Sequence, residues 1–282
     1  MIEKGMTIQV EWSFLWIVII SLMMNQIDTR FTCLAYVIAV IYIGDFLLVQ
    51  VGIKEDLLKL SYVQLMGLVG ILHFIEGILT LLLGAKSTYP VMAYRGKEVA
   101  GGYKAYGKWL IPLLFFSIDG IYIPIIAAVV YCNESYVLEP KEKAQKMGAL
   151  ISGFGLVIML VARLVIRGNI SLGVGILSMP LLHELIFMID SRIEEGKLKY
   201  SLPKEGIRIM EIVGPSSLNM SRGDIIKKMN QEKILTEEDY YRQLKASKLI
   251  KLEIEKLNGE QIQELCTAQQ LKTADLVFLP PF

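Results

Sequence analysis

The feature that most constrains this chain is a succession of apolar runs, each close to the length that crosses a bilayer. A spanning helix needs about 20 mostly apolar residues. About six stretches of the 282-residue chain qualify: Val10 to Gln26, Thr32 to Gly52, Ser61 to Leu83, Trp109 to Tyr131, Met147 to Ile166 and Ile170 to Asp190. The last two are joined only by Arg167-Gly-Asn169 and should form a tight antiparallel pair. Lys4 precedes the first run, but no small-residue cleavage site follows it, so a retained first helix is expected rather than a signal peptide. With 54% hydrophobic and 20% charged residues, the chain is too apolar for an ordinary soluble domain.

Charge is unevenly placed. It sits between the apolar runs up to Asp190 and recurs every few residues thereafter. The expected organisation is an α-helical polytopic membrane domain of about six spans over residues 1–190, a short charged linker over 191–203, and a small α+β domain over 204–282. Lys and Arg lean only slightly toward the side holding both termini, with the basic stretch 84–108 working against it, so both ends are expected in the cytoplasm. That stretch reads as a solvated connector, with a small hairpin broken at Arg95-Gly96 and Gly101-Gly102 as the alternative. A net charge of +1 gives no footprint for nucleic acid. Cys33, Cys132 and Cys266 form no metal or redox spacing.

Ionisable residues inside apolar runs are costly and face the interior of a bundle. Asp45, His73, Glu76, Asp119, Arg163, His183 and Glu184 are such residues. His73 and Glu76 share a helix face, and His183-Glu184 follows Pro180, where a kink is expected. Three readings are open: polar pairing that holds helices together, a zinc site of an intramembrane protease, or a path for protons or ions. No His has a second His four residues on, so a complete His-Glu-x-x-His is missing. The reading adopted is structural pairing, with no catalytic residues, no cofactor and no metal.

After Pro203 the pattern changes to short alternating strands. Ile207 to Val213, Ile225 to Met229 and Leu249 to Glu255 read as strands. Glu237 to Ala246 reads as a helix capped by Thr236 with Asp239 three residues later, and Asn258-Gly259 as a hairpin turn. Between the first of these strands and Gly223-Asp224 a short helix is expected. Gly206-Ile207, then Pro215-Ser-Ser-Leu218, Met220 and Arg222-Gly-Asp-Ile-Ile226, resemble the strand and Gly-Asp element of bacterial PDZ domains.

With Leu72-His-Phe-Ile-Glu-Gly-Ile78 in the third run and Gly101-Gly-Tyr103 followed by Lys108-Trp-Leu-Ile-Pro112 before the fourth, the chain resembles a Gram-positive bacterial family. These are multipass membrane proteins with a C-terminal PDZ domain, the MinJ-like division-site determinants. The resemblance implies a cell-membrane scaffold that recruits partner proteins through a cytoplasmic PDZ domain, with division-site placement as the family's setting. A PDZ domain takes an extended peptide as an added strand. The residues placed at that groove are Gly206, Ile207, Arg208, Ile209, Tyr240, Tyr241 and Leu244. Glu205 stands where an apolar residue is usual in the carboxylate-binding loop.

Overall fold

The computed structural model describes residues 8–9, 12, 14–52, 60–118 and 120–279. Their helices are α1 (Phe14–Asn25), α2 (Leu34–Gln50), α3 (Tyr62–Leu83), α4 (Pro140–Ile166), α5 (Leu172–Ile193), α6 (Glu237–Ala246) and α7 (Ala268–Ala274). The strands are β1 (Ile8–Gln9), β2 (Thr88–Arg95), β3 (Glu98–Ile118), β4 (Ile121–Ser135), β5 (Tyr200–Ser201), β6 (Ile207–Ile212), β7 (Ile225–Met229), β8 (Glu232–Lys233), β9 (Leu249–Glu255), β10 (Gln261–Thr267) and β11 (Leu276–Leu279). The chain divides into two compact units. The first takes in residues up to Ser87, Tyr106–Cys132 and Lys141–Arg192; the second takes in Thr88–Ala105, Asn133–Pro140 and everything from Ile193.

The expectation of about six spans is corrected. Among the described residues, only α3, α4 and α5 are long and apolar enough to cross a membrane, which is compatible with membrane association. The first two runs form α1 and α2, apolar helices of 12 and 17 residues. The fourth run, Trp109 to Tyr131, is not a helix at all. It supplies the C-terminal part of β3 and most of β4, which pair with each other. The reason is local chemistry. Pro112 and Pro124 each lack the N–H a helix interior needs, and Gly120 between the strands has φ +82, which an L side chain rarely adopts. Ile, Val and Tyr around them favour the pleated conformation.

In the first unit, α4 buries a stripe of Met147, Ile151, Phe154, Ile158 and Ala162, while Leu156, Val157 and Leu160 lie exposed. The stripe recurs at three- and four-residue steps, one face of a helix. Its contact with α3 is built from small residues. A Cβ on Gly70 would sit 2.9 Å from the Gly155 carbonyl oxygen, one on Gly77 2.7 Å from that of Gly148, and one on Gly84 3.2 Å from the Ala144 Cβ. The partners descend as the glycines ascend, so the helices are antiparallel and their backbones touch. Small residues at such steps let apolar helices approach closely where burial from water supplies no drive. Lys143 of α4, 3% exposed, is neutralised by Asp190 of α5.

In the second unit the stretch read as a connector is an ordered hairpin. β2 and β3 pair from Thr88↔Ala105 to Arg95↔Glu98, turning through Gly96 at φ +67. Gly101-Gly102 does not break the strand. A Cβ on Gly101 would sit 2.6 Å from the Met210 sulfur, and one on Gly102 2.5 Å from the Ser135 carbonyl oxygen, so glycine serves close packing there. Val99 and Tyr103 form a small core with Tyr200, Met210 and Leu279, and the Tyr103 hydroxyl donates to the Met210 carbonyl. The segment read as a linker thus buries Tyr200, whose hydroxyl donates to Glu139.

β1, β4 and β5 each pair with β3, and the remaining strands form an antiparallel sheet in the order β10-β9-β7-β6-β11, with β8 folded back on β7. Ile207, Ile209, Ile226, Met229, Ile250, Leu252 and Ile254 fill its core with Tyr240 and Leu244 of α6. The capping box of α6 forms as read, Thr236 and Asp239 each accepting from the other's backbone N–H. Asn230 and Gln231 turn β7 into β8 with φ 50 and 71. Residues 215–220 form no helix, a further correction; the chain crosses there as a loop.

Candidate functional site

Two places were marked by the sequence, one in each unit. In the second unit, Gly206, Ile207, Arg208 and Ile209 sit at the start of β6. That strand is interior. It pairs with β7 through Ile207↔Ile226 and Arg208↔Ile225, and with β11 from Ile212↔Leu276 to Arg208↔Leu279. Gly206 has φ +92, and a Cβ on it would lie 2.7 Å from the Ile226 carbonyl oxygen. Arg208 is buried and donates to the carbonyls of Gly223 at 2.6 Å and Ser201 at 2.8 Å, with burial pulling its pKa below the ordinary value. Ile207 and Ile209 are core. The backbone of Arg208 and Ile209 is therefore engaged on both sides.

The edge of the sheet nearest α6 is instead β11. The Tyr240 ring lies 4.8 Å from that of Phe278, so α6 forms a wall beside the edge strand. Tyr240 and Leu244 are buried, and burial raises the Tyr240 pKa; Tyr241, 44% exposed, faces outward on the same helix. The Gly223-Asp224 element is a structural device. Asp224 accepts from the backbone of Ser221 and Leu257 and pairs with Lys256 at 2.9 Å, tying two loops together. Glu205 is exposed and pairs with Lys233 at 3.3 Å.

In the first unit the two histidines meet. His73 lies near the middle of α3 and His183 near the middle of α5, with ring centroids 5.5 Å apart. Phe154 of α4 stacks edge-on against both, at 4.9 and 5.5 Å. His73 Nδ1 is 2.8 Å from the Val69 carbonyl oxygen, one helical turn back, and its Nε2 is 3.3 Å from Cys33 Sγ. His183 Nδ1 is 3.0 Å from the Tyr36 hydroxyl, which donates to Glu184 at 2.8 Å. Arg30 reaches the same carboxylate at 3.4 Å. Cys33 caps α2 in extended conformation, and Tyr36 follows three residues later, on the same side of the first turn.

Of the six residues placed in an intramembrane cluster, His73, His183 and Glu184 are thus joined. Glu76 is half-buried one turn beyond His73 and makes no ion pair among the described residues. Asp45 accepts from Tyr62 instead. Asp119 lies outside the described residues. Cys33 and Tyr36 were missed, since neither type is conspicuous in an apolar run; the one signal was their three-residue spacing at the start of the second run. No family model, curated protein or solved structure matches the chain.

Proposed function

We propose that the protein is a membrane-anchored scaffold that recruits a partner protein by strand addition to the C-terminal sheet, in keeping with the MinJ-like resemblance. The observation that supports this most is the pairing order. β11 ends the sheet with α6 beside it, so an extended segment can add there and meet Tyr241 and Val277, both exposed. Strand addition draws affinity from main-chain hydrogen bonds and specificity from alternate side chains. Apolar helices α3 to α5 provide the anchor, and the cytoplasm is the compartment this reading gives to the sheet.

Panning a displayed peptide library against the full-length protein in detergent tests it. Enriched peptides are expected to slow amide exchange along Leu276–Leu279 and to bind at least fivefold more weakly to Tyr241→Ala. Protection confined to the opposite edge at β10, or no enrichment at all, sinks the reading.

A further inference from the structure

We infer that Cys33, His73 and His183 form a binding site for a divalent transition-metal ion of the zinc type, a role separate from partner recruitment. The ligand atoms these three residues offer all lie within 4.8 Å of one another. A tetrahedral zinc with Zn–S of about 2.3 Å and Zn–N of about 2.0–2.1 Å places sulfur and nitrogen about 3.5 Å apart. Cys33 Sγ and His73 Nε2 are 3.3 Å apart, so little movement is needed on that edge.

The hydrogen bonds set both rings in the form a metal requires. The Val69 carbonyl can only accept, so His73 Nδ1 carries the proton and Nε2 presents its lone pair toward Cys33. At His183 the proton count gives the same answer. Tyr36 has one hydroxyl hydrogen, and it goes to the Glu184 carboxylate. The Tyr36 oxygen therefore accepts from His183 Nδ1–H, which leaves His183 Nε2 as the basic nitrogen. Metal-bound histidines characteristically donate their other N–H to a carbonyl or to a carboxylate-linked group in this way, which fixes tautomer and ring orientation. Here one is anchored on backbone and the other on a Tyr-Glu relay, with Arg30 holding the far end of the relay.

Without metal, the Cys33 thiol donates to His73 Nε2. On binding, the ion takes the place of that hydrogen: the S–H bond is broken, a proton leaves to solvent, and sulfur and nitrogen both bond the metal. Two neutral imidazoles and one thiolate are a borderline-soft set, suited to zinc over magnesium or calcium. Three protein ligands leave a fourth position for water or another oxygen donor, as in zinc sites that exchange a ligand.

Cobalt(II) is the probe, since in a tetrahedral sulfur-containing site it gives visible d–d bands and a thiolate-to-metal band in the near ultraviolet. Metal-free full-length protein in detergent, titrated with cobalt(II) alone, is expected to develop both at one equivalent, and zinc should abolish them. Cys33→Ser should lose the ultraviolet band, and His73→Gln and His183→Gln should weaken cobalt binding at least tenfold. The wild-type titration does not depend on any variant folding. No cobalt spectrum in the wild-type protein, a spectrum without the thiolate band, or a thiolate band that survives Cys33→Ser overturns the proposal. So does isolation with stoichiometric copper or iron in place of zinc.

Discussion

α3 and the stretch from Trp109 to Tyr131 are near twins by length and apolarity, and they fold differently. α3 is a continuous 22-residue helix. The other is the greater part of a β-hairpin, with Leu110, Leu114, Ile121 and Ile126 exposed and Leu113, Phe116 and Ile123 packed on the core of the first unit. Apolarity specifies that a segment avoids water; which backbone satisfies its own hydrogen bonds is decided by other residues. In α3 those are Leu, Met and Gly without proline. In the hairpin they are Pro112, Pro124, Gly120 and a run of Ile, Val and Tyr.

The sharpest way to break this comparison is to exchange its breakers. Leu72→Pro, in the interior of α3, should cost about 3 kcal/mol or more, because it removes a helix hydrogen bond and forces a kink. Pro112→Ala, in β3, should shift stability by less than about 1 kcal/mol. Thermal unfolding in detergent compares the two directly, and equal losses would contradict the strand assignment. Next in size is Gly77→Ala, whose new methyl meets the Gly148 carbonyl and the backbone of Ser152. It should cost about 1–3 kcal/mol by overpacking, whereas Gly67→Ala on the same helix, with open space around it, should be neutral or slightly stabilising.

At the hairpin tip, Gly120→Ala meets no neighbouring atom, so its cost is backbone strain alone. About 1–2 kcal/mol is expected from the left-handed conformation; an unchanged melting temperature would mean the turn is not held as described. The smallest effect lies outside both segments and serves as a reference for the second unit. Thr236→Ala should cost about 1 kcal/mol through loss of the α6 cap. Asp239, held below the usual carboxylate range first by the Leu235 backbone N–H, contributes stability above its unfolded pKa near ~3.9 that is lost as pH falls through its lower folded value. Acid titration of the wild type against Asp239→Asn should show that difference vanish below the folded pKa.

The same contrast explains what could be read in advance. β7, β9 and α6 were legible to within a residue because alternation, turn residues and a capping box agree there. The cap Thr267 with Gln270, which opens α7, carried the same signature and passed unread. β11 was not distinguished as the edge because pairing order depends on contacts far apart in sequence. In the first unit, His73 and His183 stood out because ionisable groups are costly in apolar runs. Cys33 carries no such penalty, and its partnership with a histidine 40 residues away exists only once α2 and α3 have packed. Hydropathy failed on residues 109–131 because it sums over the window and ignores where the breakers fall.

The Tyr103 hydroxyl finds its acceptor on a residue 107 positions later, and the small core beneath it closes only with Leu279. On a ribosome adding roughly 5–20 residues per second, the β2–β3 hairpin emerges about 10–35 s before the strand that covers it. Throughout that interval Val99 and Tyr103 are an unfinished surface on a nascent chain. Emergence of Leu279 from the ribosome is therefore the event that seals this unit, and a chain that stops short of it leaves the second unit unclosed.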